Sequence, residues 1–351
     1  MKRFALLAVI AAVLAVQDQA ASSSTTYVVG TCLHGAPSYA TISEAVGAVP
    51  SGSTVLVCPG NYPEQPIITR PLTLKGIVIG NAGAAVIVPP SGGAITNTDR
   101  CGQLTVQNTG SVEISHIVVD GSGNTGGCNL VGIYFQNASG TADEDVVRNQ
   151  TGTGFGFGIF TDSMGSPETV NIQNSIIQNF DWEGIGVEDF TNTLTLNITG
   201  NTITAPKSGV DSQLPFAGIE YNGGTGTATR NFINVLGMRG ILLHSGSAAS
   251  PITGNTIVGS SFGIDGNRSP TVTSNKFLDI SGEAIALDAG VIIQDNEMTA
   301  VNVGIDLSCT TQTVSKNTIN GASTGIANVP GGLATPNNSF TNTSALRSDC
   351  P

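Results

Sequence analysis

Charge is scarce in this sequence. Lys, Arg, Asp and Glu make up 11% of its 351 residues, and 13 basic against 25 acidic side chains leave a formal net charge of −12. Beyond Lys2 and Arg3, no basic cluster occurs. That excludes a nucleic-acid or anionic-membrane surface as partner, because both rest on clustered cations and the release of counterions. Histidine (3) and methionine (4) are sparse, no two of the six cysteines stand at CxxC spacing, and none lies near a histidine in a ligand pattern. A zinc site and a copper-handling role therefore have little to stand on, and no metal ligand is assigned. Aromatic residues reach only 5%, with a single tryptophan. The longest apolar run, 4–16, is roughly 13 residues, short of the about 20 that cross a bilayer, so no membrane span is expected in the mature chain. The LxxLxL pattern of leucine-rich repeats does not occur. What the chain has in abundance is glycine, 45 residues, within a 40% hydrophobic composition that can bury a core.

The first residues have an export pattern. Lys2 and Arg3 precede the apolar run, and small and polar residues follow as far as Ala21, which is the layout of a secretory signal. We expect 1–21 to be removed, with cleavage near Ala20 or Ala21, and 22–351 to be one domain in a periplasmic or extracellular setting. No cysteine follows the apolar run closely, which argues against a lipid anchor.

From about Asn201 the chain repeats itself. Asn-Thr-Ile or a close variant begins at 201, 231, 255, 275, 296, 317 and 338, with spacings of 30, 24, 20, 21, 21 and 21. Between these lies a second mark, Gly-Ile or a variant, with its isoleucine at 133, 159, 185, 219, 241, 264, 285, 305 and 326. Two marks per period mean two short strands per repeat. The segments between them are rich in Thr, Asn, Gly and Val, which are turn and strand formers with poor helix propensity, and a helical solenoid is thereby excluded. The chain is expected to wind into stacked coils about 4.8 Å apart, inward side chains resting on like side chains. Each repeated Asn would sit at a sharp turn, tolerate a left-handed backbone, and hydrogen-bond to the next Asn in a ladder. Six cysteines allow 15 pairings. In a linear stack only cysteines close in sequence meet, which favours Cys32–Cys58, Cys101–Cys128 and Cys309–Cys350, the last clipping the C-terminal tail.

With these marks the chain resembles the right-handed parallel β-helix proteins of the pectin-lyase-like superfamily over roughly 27–345. The fold class this implies is all-β, a single-stranded right-handed parallel β-helix with a short N-terminal capping helix. The entry segment is similar too: Tyr39-Ala-Thr-Ile-Ser-Glu-Ala-Val46, then Gly52-Ser-Thr-Val-Leu-Val-Cys-Pro-Gly-Asn-Tyr-Pro-Glu64 and Pro71-Leu-Thr-Leu-Lys-Gly76. Ile42, Ala45, Val46 and Val49 fall on one helical face, Thr41 and Glu44 form a capping box, and Pro50 ends the turn, so a plug for the first coil is expected within the cap at about 27–60. The resemblance implies polysaccharide chemistry, since many members are lyases, hydrolases or esterases. It assigns no catalytic residue. Gly60-Asn-Tyr-Pro-Glu64 resembles the GxYxE of pectin methylesterases, but the QDT, DFIFG and LGRPW patterns are missing. Asn97-Thr98-Asp99 resembles the NTD of polygalacturonases, but DD, GHG and RIK are missing.

Geometry nominates a surface instead. If each Gly-Ile isoleucine points inward, period-2 alternation sends the residues one and three positions later outward. Those columns hold Asp162, Glu188, Glu220, His244, Asp265, Asp288 and Asp306. Adjacent coils offset by two residues put Glu188 and Glu220, or Asp265 and Asp288, roughly 8 Å apart at the backbone, within the about 6.5–9.5 Å used by inverting glycosidases. Glu188, Glu220, His244, Asp265 and Asp288 are the candidate acids and bases. Trp182 is a candidate sugar-stacking surface, and Arg239 and Arg268 are candidate partners for a sugar carboxylate or these acids. In a lyase the carboxylates would hold Ca²⁺ against a uronate; a hydrolase needs no cofactor, and the net charge of −12 tilts the reading toward a neutral glycan. The leading reading is a secreted β-helix that binds and cleaves a polysaccharide or cell-surface glycan on the Gly-Ile face. The alternative is a non-catalytic cell-envelope or adhesive scaffold, for which the same acids merely discourage edge pairing and keep the solenoid soluble.

Overall fold

The computed structural model describes residues 25–78, 83–97, 100–151, 154–206, 217–244, 246–267, 270–288 and 290–351. The proposed signal 1–21, Thr98 and Asp99 of the NTD motif, and Arg268 lie outside the described residues. Strand accounts for 57% of the described residues and helix for 2%. Among the described residues no helix is long and apolar enough to cross a membrane.

Short strands stack coil upon coil, and every pairing is parallel. On one face Gly140–Asp143, Glu168–Gln173, Leu194–Thr199 and Thr225–Thr229 follow one another. On the face that carries the Gly-Ile marks the sequence is Leu130–Gln136, Gly156–Asp162, Glu183–Asp189, Ala217–Gly223, Arg239–Leu243 and Phe262–Gly266. The register aligns Ile133, Ile159, Ile185, Ile219, Ile241, Ile264, Ile285, Ile305 and Ile326 in a single column, all of them buried in one continuous core. Each such side chain contributes on the order of 2 kcal/mol by leaving water.

The asparagine ladder forms. The backbone N–H of Asn201 donates to Asn231 Oδ1 (2.9 Å), Asn231 to Asn255, Asn255 to Asn275, Asn275 to Asn296, Asn296 to Asn317 and Asn317 to Asn338. Each Nδ2 also donates to a backbone carbonyl of the preceding coil, as Asn201 does to Ile172 (2.9 Å). One expectation is corrected: the left-handed backbone belongs to the residue before each ladder Asn. Gly200, Arg230, Gly254, Ser274, Asp295, Lys316 and Asn337 have φ between 54° and 70°. The turn is made one step earlier, which leaves the Asn backbone free to enter the next strand while its amide bonds along the stack. The ladder also runs further up than the Asn repeat, through Ser175 and Asp145.

The helix Ile42–Ala48 buries Ile42, Ala45 and Val46 against the first coils. Thr41 Oγ1 accepts from Glu44 N (3.1 Å), but Glu44 reaches back to the N–H of Ala40 (3.2 Å), not of Thr41. The Glu64 carboxylate takes the N–H groups of Ile42 and Ser43, both at 2.8 Å, so the GxYxE-like segment serves the cap. Cysteines pair as 32–58, 101–128 and 309–350.

Candidate functional site

The glycine of each Gly-Ile mark decides what faces outward. A Cβ on Gly184 would meet Ile203 Cγ2 and Gly218 O, both at 2.6 Å, and Phe180 Cζ at 3.0 Å. Ile203 and Phe180 are core side chains, so Gly184 faces inward, as does Ile185 after it. Two consecutive inward positions break the period-2 alternation. The residue before each glycine is thereby thrown to the outside: Phe157, Glu183, Ala217, Arg239 and Phe262 form a third outward column. Phe157 accordingly joins Val131, Tyr134 and Phe160 in an apolar cluster separate from the main core, with Trp182 packed against it.

Glu183 is the consequence for chemistry. Its strand neighbour Gly186 has no side chain, and a Cβ there would lie 1.9 Å from Glu183 Oε2. The Glu183 carboxyl fills that gap and reaches Glu220, which is in register with Gly186 on the next coil. Burial, then the charge and hydrogen bond of Glu220, push the Glu183 carboxyl well above the ordinary range, with Arg100 and Trp182 pulling the other way. Burial and the neighbouring Glu220 thus make the Glu183 carboxyl hold its proton more tightly than an ordinary glutamate does. Glu220 is itself buried, and its Oε1 lies 2.6 Å from His244 Nε2. The hydrogen bond and charge of Glu220 raise the His244 pKa against the opposing effects of desolvation and Arg239. Across the same surface Arg100 Nη2 is 2.8 Å from Glu188 Oε2, with its guanidinium 4.1 Å from the Phe160 ring centroid and 5.0 Å from that of Phe157. Phe155 packs on Trp182, centroids 4.1 Å apart. These side chains line an open cleft of about 360 Å³.

No family model matches the sequence, and no curated protein matches it either. Among solved structures the chain superposes on the PL6-family alginate lyase AlyGC with a TM-score of 0.54 at 14% identity, covering 86% of this chain and 45% of that one. It superposes on PfbA, a surface adhesin of Streptococcus pneumoniae, with a TM-score of 0.51 at 14% identity, covering 88% and 86%. The fold is the right-handed parallel β-helix. Identity this low shows the fold and no more.

On the β-helix face, Trp182, Glu188, Glu220 and His244 come together as lining of one cleft. The spacing argument had paired Glu188 with Glu220, but Glu188 is held by Arg100 and the carboxyl that meets Glu220 is Glu183. Asp265 lies one coil beyond His244 and is bound by Arg239 Nε at 2.5 Å, so Arg239 pairs with an acid of its own. Asp288 is exposed, a coil further on again, and does not line the cleft. Among the described residues no group of three or more His, Cys, Asp or Glu could hold a metal ion. In the cleft Glu188 is held by Arg100 and Glu220 lies against His244. Sequence reasoning missed Glu183, Arg100 and the Phe155–Phe157 wall. The recurrent glycine before each isoleucine was the available signal for Glu183. Nothing in the sequence tied Arg100 to a strand 88 residues away.

Proposed function

We propose that the chain is an exported β-helix protein that binds a polysaccharide in this cleft and cleaves a glycosidic bond there by acid–base chemistry. Its three disulfides fit an oxidising compartment. The observation that carries the reading is Glu183: a buried carboxyl beside Glu220, pushed well above the ordinary range by burial and by that neighbour, at the floor of an open cleft walled by Trp182 and Phe155. A sugar ring stacked on that wall would place its glycosidic oxygen over the acid pair. Glu183 gives its proton to the leaving oxygen as the C–O bond breaks, and water, losing a proton to Glu188, forms the new bond to the anomeric carbon. Glu188 returns that proton to solvent and Glu183 is reprotonated from it. His244 lies 2.6 Å from Glu220, whose charge and hydrogen bond raise the hold of Glu183 on its proton.

The test is a panel of neutral and uronate-containing polysaccharides, read by release of reducing ends and by the fluorescence of Trp182, with and without a chelator. The expected result is release from at least one glycan, unaffected by chelation and reduced about 10²-fold or more in Glu183→Gln, the size associated with losing an acid or base. Absence of both release and fluorescence change across the panel would return the chain to the scaffold reading.

A further inference from the structure

Among the described residues, charged side chains in and beside the cleft form ion pairs. Arg100 pairs with Glu188, His244 with Glu220 and Arg239 with Asp265, on three successive stretches of the same face. Of these pairs, Arg100–Glu188 alone bridges distant parts of the chain. Arg100 precedes Cys101, whose bridge to Cys128 and whose N–H to Asn129 O (2.9 Å) fix the strand start. Asn97 braces it further, its N–H donating to Arg100 O (3.2 Å) and its side chain exchanging two bonds with Gly102 (2.9 and 3.1 Å). From this anchor the guanidinium extends over Phe160 and Phe157 to Glu188, and its side chain is only 16% exposed. A planar, weakly hydrated cation is suited to lie on aromatic rings while it neutralises a carboxylate.

We propose that Arg100 is the specificity-determining residue of the cleft: by cancelling Glu188 and covering the Phe157–Phe160 shelf, it makes the site select uncharged glycans. This rests on the glycan-cleft reading above. A uronate would have to displace Glu188 from Arg100 and enter a protein of net charge −12. A cationic amino sugar finds its attraction to Glu188 already cancelled. Without Arg100 the Glu188 charge is exposed at about 5 Å scale, where it is only partly screened at 0.1 M salt.

Two measurements test this. In the first, without ligand, Trp182 fluorescence is quenched with iodide and with caesium in the wild type, Arg100→Ala, Glu188→Gln, the double variant, and Cys101→Ser/Cys128→Ser. Loss of Arg100 should lower the ratio of iodide to caesium quenching about threefold, Glu188→Gln should raise it, the double variant should return near the wild-type ratio, and the double serine variant should follow Arg100→Ala. Equal increases in both quenchers for Arg100→Ala would mark it as packing only and overturn the proposal. In the second, oligosaccharides that are neutral, uronate-bearing or built of glucosamine are titrated against the same fluorescence. The wild type should prefer the neutral ligand with little salt dependence, and Arg100→Ala should gain about tenfold or more for the cationic relative to the neutral one. An unchanged preference order in Arg100→Ala would also overturn the proposal. If no oligosaccharide binds any variant, the glycan reading fails, while the quenching ratios still decide whether Arg100 sets the charge of the cleft.

Discussion

Asp145 occupies a rung of the ladder that asparagine fills lower down. Its Oδ1 accepts from Ile117 N (2.9 Å) and its N–H donates to Ser175 Oγ (3.1 Å), as ladder asparagines do, but Oδ2 is buried without a partner. Burial, together with Asp143 and Glu144 nearby, drives its carboxyl well above the usual range. A group whose folded pKa is raised binds its proton more tightly when folded. Its contribution is intact below the unfolded value of 3.8 and is lost as pH rises beyond it. Asp145→Asn replaces the unsatisfied oxygen with an amide N–H. In the rungs below, that amide meets the carbonyl three residues before the preceding rung, as Asn201 meets Ile172; here that carbonyl is Ile114. An unsatisfied buried polar atom costs about 1–3 kcal/mol, and the entropy of unfolding for a chain of this length gives about 1.5 °C per kcal/mol. Thermal melts followed by circular dichroism should therefore show Asp145→Asn raising Tm by about 1.5–4 °C at pH 8 and by much less at pH 4. A variant no more stable than wild type at pH 8, or equally stabilised at both pH values, would refute the reasoning.

Other outcomes follow from the same geometry. Gly186→Ala should evict the Glu183 carboxyl and lower turnover at least tenfold, because the Cβ would lie 1.9 Å from Glu183 Oε2 and 2.9 Å from Phe160 Cδ2, both side-chain atoms; Gly184→Ala should lower Tm more, because its Cβ meets a backbone carbonyl and two core side chains. Asn275→Ala removes acceptor and donors from a buried rung that bonds to Asn255, Ile252 and Asn296, and should destabilise by roughly 2–4 kcal/mol in denaturant melts. The His244–Glu220 interaction raises the His244 pKa, so the stability it adds is complete below the ordinary 6.5 and fades as pH climbs through the raised value; His244→Gln should flatten that alkaline loss in a pH series of melts.

The coils, the Asn ladder, the cap and the cysteine pairing were legible because each rests on a local or periodic signal. Ile185 and its equivalents repeat at coil spacing, and Ile42, Ala45 and Val46 share one helical face. Strict alternation then failed at the Gly-Ile mark, where the absence of a side chain on Gly184 lets the backbone of the next coil approach and turns two neighbours inward. This shifted the neighbouring carboxyl pair from Glu188–Glu220 to Glu183–Glu220. Arg100 was hidden for a different reason: a long-range ion pair between a turn and a strand leaves no periodic trace, and only the stacking of coils brings the two together.

The measurement that bears most directly on the account is the turnover of Glu183→Gln on whichever glycan the wild type cleaves, compared with binding of the same glycan. Glutamine fills the gap over Gly186 but has no proton to give. The account predicts that binding, followed through Trp182, stays within a few-fold of wild type while turnover falls about 10²-fold or more. Turnover within a few-fold of wild type in Glu183→Gln would contradict it and move the chemistry off this cleft.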